Sequence, residues 1–318
     1  MKEMGIAALL LVVGFVLLIK GADFFVEGSS SLAKKLKVPS MIIGLTIVAM
    51  GTSLPECAVS VTASLTGNNA LAISNAVGSN IFNLMVVCGF CTLFCPLTIQ
   101  KDTLKKEFPF SIICAGLLLF FGMIGMSLGR IEGLILIVIF AIYLGIMIYN
   151  ALKARQQFDH VPESEEEIKI LPIWCCILYI IGGGVAIKFG GDFVVNGAST
   201  VASRLGLSQN LIGLTIVAMG TSLPELATSA VAARKNEVDM AIGNVIGSNI
   251  FNILLILGVA SVMSPITFVM ENVIDIMVLI VMSILVWIFC WTKQQLDKRE
   301  GIFMLIAYAV YMVYIILR

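Results

Sequence analysis

The sequence predicts an all-α polytopic membrane protein with ten transmembrane helices, arranged as two inverted five-helix repeats with broken helices 2 and 7. The 318 residues are 59% hydrophobic and only 13% charged, which leaves too little polar surface for a soluble domain. The apolar residues form runs of about 20 or more, the length that a helix needs to cross a bilayer. An internal repeat adds the two-fold organisation, because residues 44–56 and 213–225 both read GLTIVAMGTSLPE at an offset of 169.

Short polar loops divide the apolar runs into ten predicted spans. In the first repeat, residues 1–152, the spans are 4–33, 40–65, 70–95, 107–127 and 131–152. In the second repeat, residues 171–318, they are 171–203, 209–233, 239–264, 271–292 and 299–317. The first run lacks a small-residue cleavage site and contains Asp23, which matches Asp192, so we interpret it as a span rather than a secretory leader.

Loop charges predict the orientation of the chain. Fourteen Lys and Arg residues fall in loops on one side and four on the other, counted from the predicted spans. Basic loops favour the cytoplasm, so both termini are predicted outside and the polar linker 153–170 is predicted cytoplasmic. Equivalent loops of the two repeats carry opposite charge biases, as inverted halves require. The glutamate-rich linker is interpreted as a solvated connector in preference to a regulatory cation site.

The repeated Gly-Thr-Ser-Leu-Pro-Glu element predicts a break in the middle of spans 2 and 7. Pro55 removes a helical hydrogen bond, and Gly51 lowers the cost of unwinding. Loose backbone groups inside a bilayer have to be satisfied by something polar, such as an ion or water. The polar side chains at the two breaks are Thr52, Ser53, Glu56, Thr221, Ser222 and Glu225.

The following span of each repeat adds a polar stripe. Asn75, Ser79 and Asn83 share one helical face, and Asn244, Ser248 and Asn252 repeat the pattern. Such a face is disfavoured toward lipid, so we expect it to turn inward against the glutamate-bearing helix. Carboxylate, hydroxyl, amide and carbonyl oxygens are hard donors that suit Ca²⁺ and Na⁺. Closing an empty site would bury unpaired charge, which favours exchange over one-way leak.

Other polar features receive a structural interpretation. Helix packing alone would explain the glycines and hydroxyls but not two equivalent glutamates. Cys88, Cys91 and Cys95 share a face and are interpreted as packing residues rather than a metal site. Asp23 and Asp192 are expected to be structural, for example as caps of opposing half-helices, rather than ligands. The net charge of zero gives no indication of a nucleic-acid partner.

With both GTSLPE elements and both GSNIFN elements, the chain resembles the cation/calcium exchanger superfamily, in particular prokaryotic sodium/calcium antiporters. The resemblance implies a diamond-shaped cluster of ion sites in which Glu56 and Glu225 bind calcium. It also implies ligands at hydroxyls, at two backbone carbonyls and at an amide. These are Thr52, Ser53, Thr221, Ser222, Ser79, Ser248, the carbonyls of Ala49 and Ala218, and Asn83.

One position departs from the resemblance. Asn252 stands where many members carry an aspartate, so we include it among the metal-site residues but leave the stoichiometry, K⁺ dependence and H⁺ coupling open. The predicted function is Na⁺-for-Ca²⁺ antiport by alternating access in a prokaryotic plasma membrane. Exchange of H⁺ for Ca²⁺, or K⁺-dependent exchange, ranks second. A cation channel ranks lower, and an intramembrane enzyme lowest.

The expected partners follow from this function. They are the lipid bilayer and the transported ions Ca²⁺ and Na⁺, with no cofactor. The sequence does not fix the oligomeric state, and each protomer is expected to be self-sufficient.

Overall fold

The computed structural model describes residues 2–67, 69–158, 171–206, 215–216 and 218–317. Within these ranges, eight helices are long and apolar enough to cross a membrane, and a bent helix pair makes a ninth candidate. The remaining predicted span, 209–233, lies partly outside the described residues. Large apolar side chains such as Leu9, Ile131 and Trp174 are exposed on the surface, as expected for helices in contact with lipid.

The described helices agree closely with the predicted spans. They are α1 (Lys2–Leu36), α2 (Ser40–Thr52), α3 (Leu54–Leu65), α4 (Leu71–Cys91), α5 (Thr103–Met123), α6 (Arg130–Phe158), α7 (Ile173–Arg204), α8 (Ala218–Gly220), α9 (Leu223–Arg234), α10 (Val238–Met263), α11 (Met270–Lys293) and α12 (Lys298–Leu317). Helix α6 continues past residue 152, so the linker begins later than predicted, and residues 159–170 lie outside the described residues.

Both repeated elements are broken at their serine. Ser53 leaves the helical conformation (φ −85°, ψ 11°) between α2 and α3, whose axes differ by 49°. Ser222 does the same (φ −91°, ψ 5°) just before α9. Pro55 and Pro224 lie in the first turn after each break, where a missing N–H removes no helical hydrogen bond. Each break therefore starts a new helix whose first turn contains the glutamate.

Four of the helices given above contain a complete π-helical turn within the described residues. The turns are Gly44–Val48 in α2, Asn83–Val87 in α4, Thr103–Glu107 in α5 and Asn252–Ile256 in α10. The turns in α4 and α10 begin at equivalent asparagines of the two repeats. Single π-turns inside α-helices are frequent at functional sites.

Helices α1 and α7 pack together along a stripe of glycines, which we call the glycine seam and which consists of Gly14, Gly21, Gly28, Gly183, Gly190 and Gly197. A Cβ atom on Gly21 would lie 2.9 Å from the carbonyl oxygen of Gly183, and one on Gly183 would lie 2.7 Å from that of Gly21. The two backbones are therefore in direct contact, as small residues permit between membrane helices.

Two short strand pairs connect the loops. Strand β1 (Leu97–Thr98) pairs antiparallel with β4 (Gln295–Leu296), and β2 (Ser127–Leu128) pairs antiparallel with β3 (Ile266–Thr267). Leu97 lies opposite Leu296, and Ser127 lies opposite Thr267. Each pair joins two loops for which the charge distribution predicts the same side of the membrane.

Candidate ion-binding site

Two buried glutamates lie at the centre of the protein, one from each repeat. Glu56 in the first turn of α3 and Glu225 in the first turn of α9 both have no exposed surface. Carboxylates are favoured at this position of a helix, because the backbone N–H groups of the first turn carry partial positive charge. Ser222, three residues before Glu225, bonds to the Glu56 carboxylate, so the structure brings the predicted acid pair into one region.

The serine at each break crosses to the glutamate of the other repeat. Ser53 Oγ donates to Glu225 Oε1 at 2.7 Å, and Ser222 Oγ donates to Glu56 Oε1 at 3.1 Å. We call Ser53 and Ser222 the crossed serines. Both are fully buried. Each glutamate is therefore held by a side chain from the opposite half of the chain.

The polar stripes of α4 and α10 complete the glutamate surroundings. Ser79 Oγ lies 3.4 Å from Glu56 Oε1, and Ser248 Oγ lies 3.5 Å from Glu225 Oε1. Ser248 also contacts the carbonyl oxygen of Ala49 at 3.4 Å. The stripes face inward as predicted, because burial in this network satisfies hydroxyl groups that lipid could not.

Thr52 and Thr221 also reach across to the opposite repeat. Thr52 Oγ1 donates to Asn244 Oδ1 at 3.1 Å, and Thr221 Oγ1 donates to Asn75 Oδ1 at 3.4 Å. The amide of Asn75 donates to Ser60 Oγ and that of Asn244 donates to Ser229 Oγ, both at 2.9 Å, and neither serine is among the predicted site residues. These serines are also related by the offset of 169, and that signal could have identified them.

Four asparagines connect α4 to α10. Asn80 Nδ2 donates to the carbonyl oxygen of Asn249 at 3.1 Å, and Asn249 Nδ2 donates to that of Asn80 at 3.3 Å. Asn252 Nδ2 donates to Asn80 Oδ1 at 3.0 Å, and Asn83 Nδ2 lies 3.4 Å from Asn249 Oδ1. Asn83 and Asn252 thus use their amide nitrogens in these contacts and not their side-chain oxygens.

Four buried carboxylate and amide oxygens of this region have no hydrogen-bond partner among the described residues. They are Glu56 Oε2, Glu225 Oε2, Asn83 Oδ1 and Asn252 Oδ1. Each comes from a different helix, namely α3, α9, α4 and α10. Buried acceptors without a partner are costly and rare in native proteins. Carboxylate and amide oxygens are hard ligands of the type that Ca²⁺ and Na⁺ prefer.

Of the two carbonyl ligands implied by the resemblance, the structure describes the surroundings of Ala49 but not those of Ala218. The carbonyl oxygen of Ala49 is at the broken end of α2, where it accepts from Thr52 Oγ1 at 3.3 Å. Ala218 begins α8, but its side chain and the preceding residue lie outside the described residues. Its role as a carbonyl ligand therefore stays a prediction.

Other polar groups lie away from this site. Within the described residues, no group of three or more His, Cys, Asp or Glu is arranged to hold a metal, and the eight cysteines are free. Asp23 lies 3.5 Å from Lys235, and Asp192 lies 2.5 Å from Lys188. Both aspartates are inside continuous helices and form ion pairs, so the expectation that they cap half-helices is wrong.

Charged and polar side chains lie at both ends of the α1–α7 pair. Near the end of α1, Lys235 Nζ donates to the carbonyl oxygen of Asp23 at 3.0 Å and lies 3.7 Å from Glu27 Oε2. Lys34 pairs with Glu237 at 3.8 Å. At the end of α7, a cavity of about 510 Å³ is lined by Glu3, Ser199, Thr200, Ser203 and Arg204. Arg204 also pairs with Glu3, so both ends of the α1–α7 pair have ion pairs. Those of Lys235 and Lys34 connect α1 to residues at and beyond the end of α9, and that of Arg204 connects α7 to α1 beside the cavity.

Comparisons with known proteins identify the family. The sodium/calcium exchanger protein family matches residues 6–149 and 176–317. The chain is 43% identical over 261 residues to the putative antiporter CaxA of Alkalimonas amylolytica, covering 82% of each. It is 31% identical to the sodium/calcium exchanger MaX1 of Methanosarcina acetivorans, covering 96% of this chain and 97% of the relative.

A solved structure has the same fold. The sodium-calcium exchanger NCX_Mj, soaked with 10 mM Na⁺ and no Ca²⁺, matches with a TM-score of 0.84 and 31% identity. The match covers 98% of this chain and 99% of that one. These relatives are exchangers and antiporters, which agrees with the prediction of a transporter rather than an enzyme. The chain therefore belongs to the sodium/calcium exchanger family of the cation/calcium exchanger superfamily.

Proposed function

We propose that this protein is an antiporter that exchanges Na⁺ for Ca²⁺ at the buried oxygen site. The observation that carries the proposal is the set of four unpartnered oxygens, two of them from glutamates, contributed by four helices of both repeats. Two carboxylates offset the charge of one Ca²⁺ and the two amide oxygens add neutral ligands, and the nearby hydroxyl and carbonyl oxygens supply the rest of the six to eight ligands that Ca²⁺ takes. Na⁺ ions accept the same type of ligand, so the two cations compete for this site.

Exchange follows from the burial of the glutamates. An ionised carboxylate in the middle of a bilayer costs at least about 3 kcal/mol, and here two lie together without a basic partner among the described residues. Closing the site around both charges without a cation is therefore unfavourable. We infer that the carrier changes its access only when it is loaded, which couples the movement of one ion to that of the other.

The proposed topology has ten spans in two inverted repeats, 1–152 and 171–318, joined by a cytoplasmic linker, 153–170. Both termini face outward, and the protein lies in the plasma membrane of a prokaryotic cell. The pairing of β1 with β4 and of β2 with β3 supports this topology, because each pair joins loops assigned to one side. In this orientation the ion pairs of Lys235 are cytoplasmic and the cavity beside Arg204 is external.

The test is calcium-45 uptake into proteoliposomes driven by a sodium gradient. Glu56→Gln and Glu225→Gln each keep the size of the side chain and remove one charge, so each should abolish uptake. Glu271→Gln is the matched control, because Glu271 is exposed in the first turn of α11. Uptake at the wild-type rate by either site variant would refute the proposal.

The same vesicles distinguish the coupling ion. Uptake that requires internal Na⁺ and is unaffected by external K⁺ or a pH gradient supports Na⁺/Ca²⁺ exchange. Uptake driven by a pH gradient alone would point to H⁺/Ca²⁺ exchange, and a requirement for K⁺ would point to K⁺-dependent exchange. Flux that ignores internal Na⁺ would point to a channel.

A further inference from the structure

An acid and a tyrosine recur at equivalent places outside the ion-binding site. From residue 103 onward, equivalent residues of the two repeats are 168 positions apart. Strand β2 of the first repeat is equivalent to strand β4 of the second at this offset. Met126 and Gln294, which precede these strands, share the left-handed backbone conformation with φ of 51° and 54°. This offset matches Glu107 with Asp275 on the first helix of each pair.

The same offset matches Tyr143 with Tyr311 on the second helix. In the second repeat the acid and the tyrosine are bonded to each other. Tyr311 Oη donates to Asp275 Oδ1 at 3.1 Å, and both residues are at least nine-tenths buried. This contact between α11 and α12 leaves neither the carboxylate nor the hydroxyl without a partner. In the second repeat, the acid and the tyrosine therefore satisfy each other and need no ligand.

In the first repeat the corresponding groups are not bonded. Tyr143 is 6% exposed, and its hydroxyl has no hydrogen-bond partner in the part of the chain that the structure describes. The half-buried Glu107 carboxylate makes no hydrogen bond or ion pair with any described residue. A buried hydroxyl and a partly buried carboxylate that both lack partners are an unfavourable combination, so a ligand that bonds to both would stabilise them.

A cavity of about 370 Å³ lies beside these two groups, between α5 and α6. Its polar lining consists of Lys106, Glu107, Tyr143 and Asn150. One wall is the ring of Phe110, which stacks on that of Tyr143 at 5.0 Å. The rest is apolar and opens to the outer surface of the bundle, where Ile142 and Ile146 are more than half exposed. The cavity thus has a charged end and an apolar mouth on the lipid-facing surface.

We propose that this cavity binds a phospholipid whose head group carries a primary ammonium. The ammonium donates hydrogen bonds to Glu107, and Tyr143 donates to a phosphate or ester oxygen. The acyl chain lies against Ile142 and Ile146. Lys106 lies at the same end, 3.2 Å from Asp102, and adds positive charge near the phosphate. Adjacent opposite charges at residues 106 and 107 therefore match the charges of a zwitterionic head group.

The head-group chemistry excludes two other common lipids. A choline head group has no N–H to donate, so Glu107 would gain no hydrogen bond. A glycerol head group brings a phosphate without an ammonium, which places like charges together beside Glu107. The basic residues near this end, Lys105 and Lys153, agree with a membrane-surface location.

The experiment measures which lipid the intact protein retains. The protein is placed in nanodiscs with equal amounts of phosphatidylethanolamine and phosphatidylcholine, transferred to detergent, and examined by native mass spectrometry. A charge-assisted hydrogen bond predicts that the ethanolamine lipid is enriched about tenfold or more. Glu107→Gln should remove most of this enrichment, because Glu107 contacts the ammonium that only the ethanolamine lipid has. Tyr143→Phe should lower the retention of both lipids several-fold, because both carry the phosphate and ester oxygens to which Tyr143 donates.

Two further variants serve as controls. Tyr311→Phe removes the same hydroxyl from the closed pair and should leave the enrichment unchanged. Ile142→Trp fills the mouth of the cavity from an exposed position, where folding is little affected, and should abolish retention. Equal retention of the two lipids by the wild type would overturn the proposal. Enrichment that survives in Ile142→Trp, or that favours phosphatidylglycerol in a second mixture, would also overturn it.

Discussion

Replacing Ser53 with alanine removes the hydroxyl that holds Glu225 from the opposite repeat. The bond is 2.7 Å long and fully buried, and a hydrogen bond to a charged group contributes about 1.5–3 kcal/mol. Ser53 fixes Oε1, which leaves Oε2 without a partner and available for a cation. Loss of this positioning should weaken apparent Ca²⁺ affinity by about ten- to a hundredfold. Ser222→Ala removes the longer bond, 3.1 Å, to Glu56, and should have the smaller effect.

The assay is the Ca²⁺ concentration dependence of sodium-driven uptake in proteoliposomes, with protein incorporation measured for each variant. Ser64→Ala is the matched control, because its buried hydroxyl donates to the carbonyl oxygen of Ala260 at 2.8 Å and makes no contact with a glutamate. Its cost should appear in thermal stability and not in affinity. Wild-type Ca²⁺ affinity in Ser53→Ala would refute the role given to the crossed serines, and so would an equal loss in Ser64→Ala.

Three other changes test the surrounding structure. Asn252→Asp replaces an amide with a titratable acid, so the ratio of variant to wild-type Ca²⁺ uptake should change with pH; a constant ratio would contradict this. Lys235→Ala removes a hydrogen bond and two partly exposed ion pairs to α1. The fraction of molecules in which this end of α1 is locally opened should then rise about five- to thirtyfold. Hydrogen exchange of α1 should then accelerate near its end, whereas unchanged exchange would argue against a closing role. Gly21→Ala overpacks the glycine seam by about 1–3 kcal/mol and should lower the melting temperature. Gly116→Ala, where a Cβ meets nothing within 4 Å, should not.

The sequence predicted the helices because hydropathy alone defines them. Each described span agrees with its predicted bounds to within a few residues, apart from α6, which continues to Phe158. The breaks were predictable from Pro55 and Pro224, since proline cannot continue a helix without losing a hydrogen bond. The inward direction of Ser79 and Ser248 was predictable from the cost of polar groups in lipid.

Other features depend on packing between the repeats, which a linear pattern does not contain. Nothing near Ser53 indicates that it bonds to Glu225 rather than to the glutamate of its own helix. The π-turns beginning at Asn83 and Asn252 require one extra residue in a helical turn, and hydropathy does not report this. The glycines of the seam recur every seven positions within each helix, from Gly14 in α1 and from Gly183 in α7, but their spacing does not say which helix they contact.

The glycine seam has a mechanical consequence for the two surfaces of the membrane. Helices that touch backbone to backbone at several levels have little room to separate, so we expect α1 and α7 to shift as a single body. The ion pairs of Lys235 hold that body at one end. Releasing them would therefore displace the far end of α7, beside Arg204, at the same time. A pair joined in this way would link an opening on one face to a closure on the other without any additional moving part.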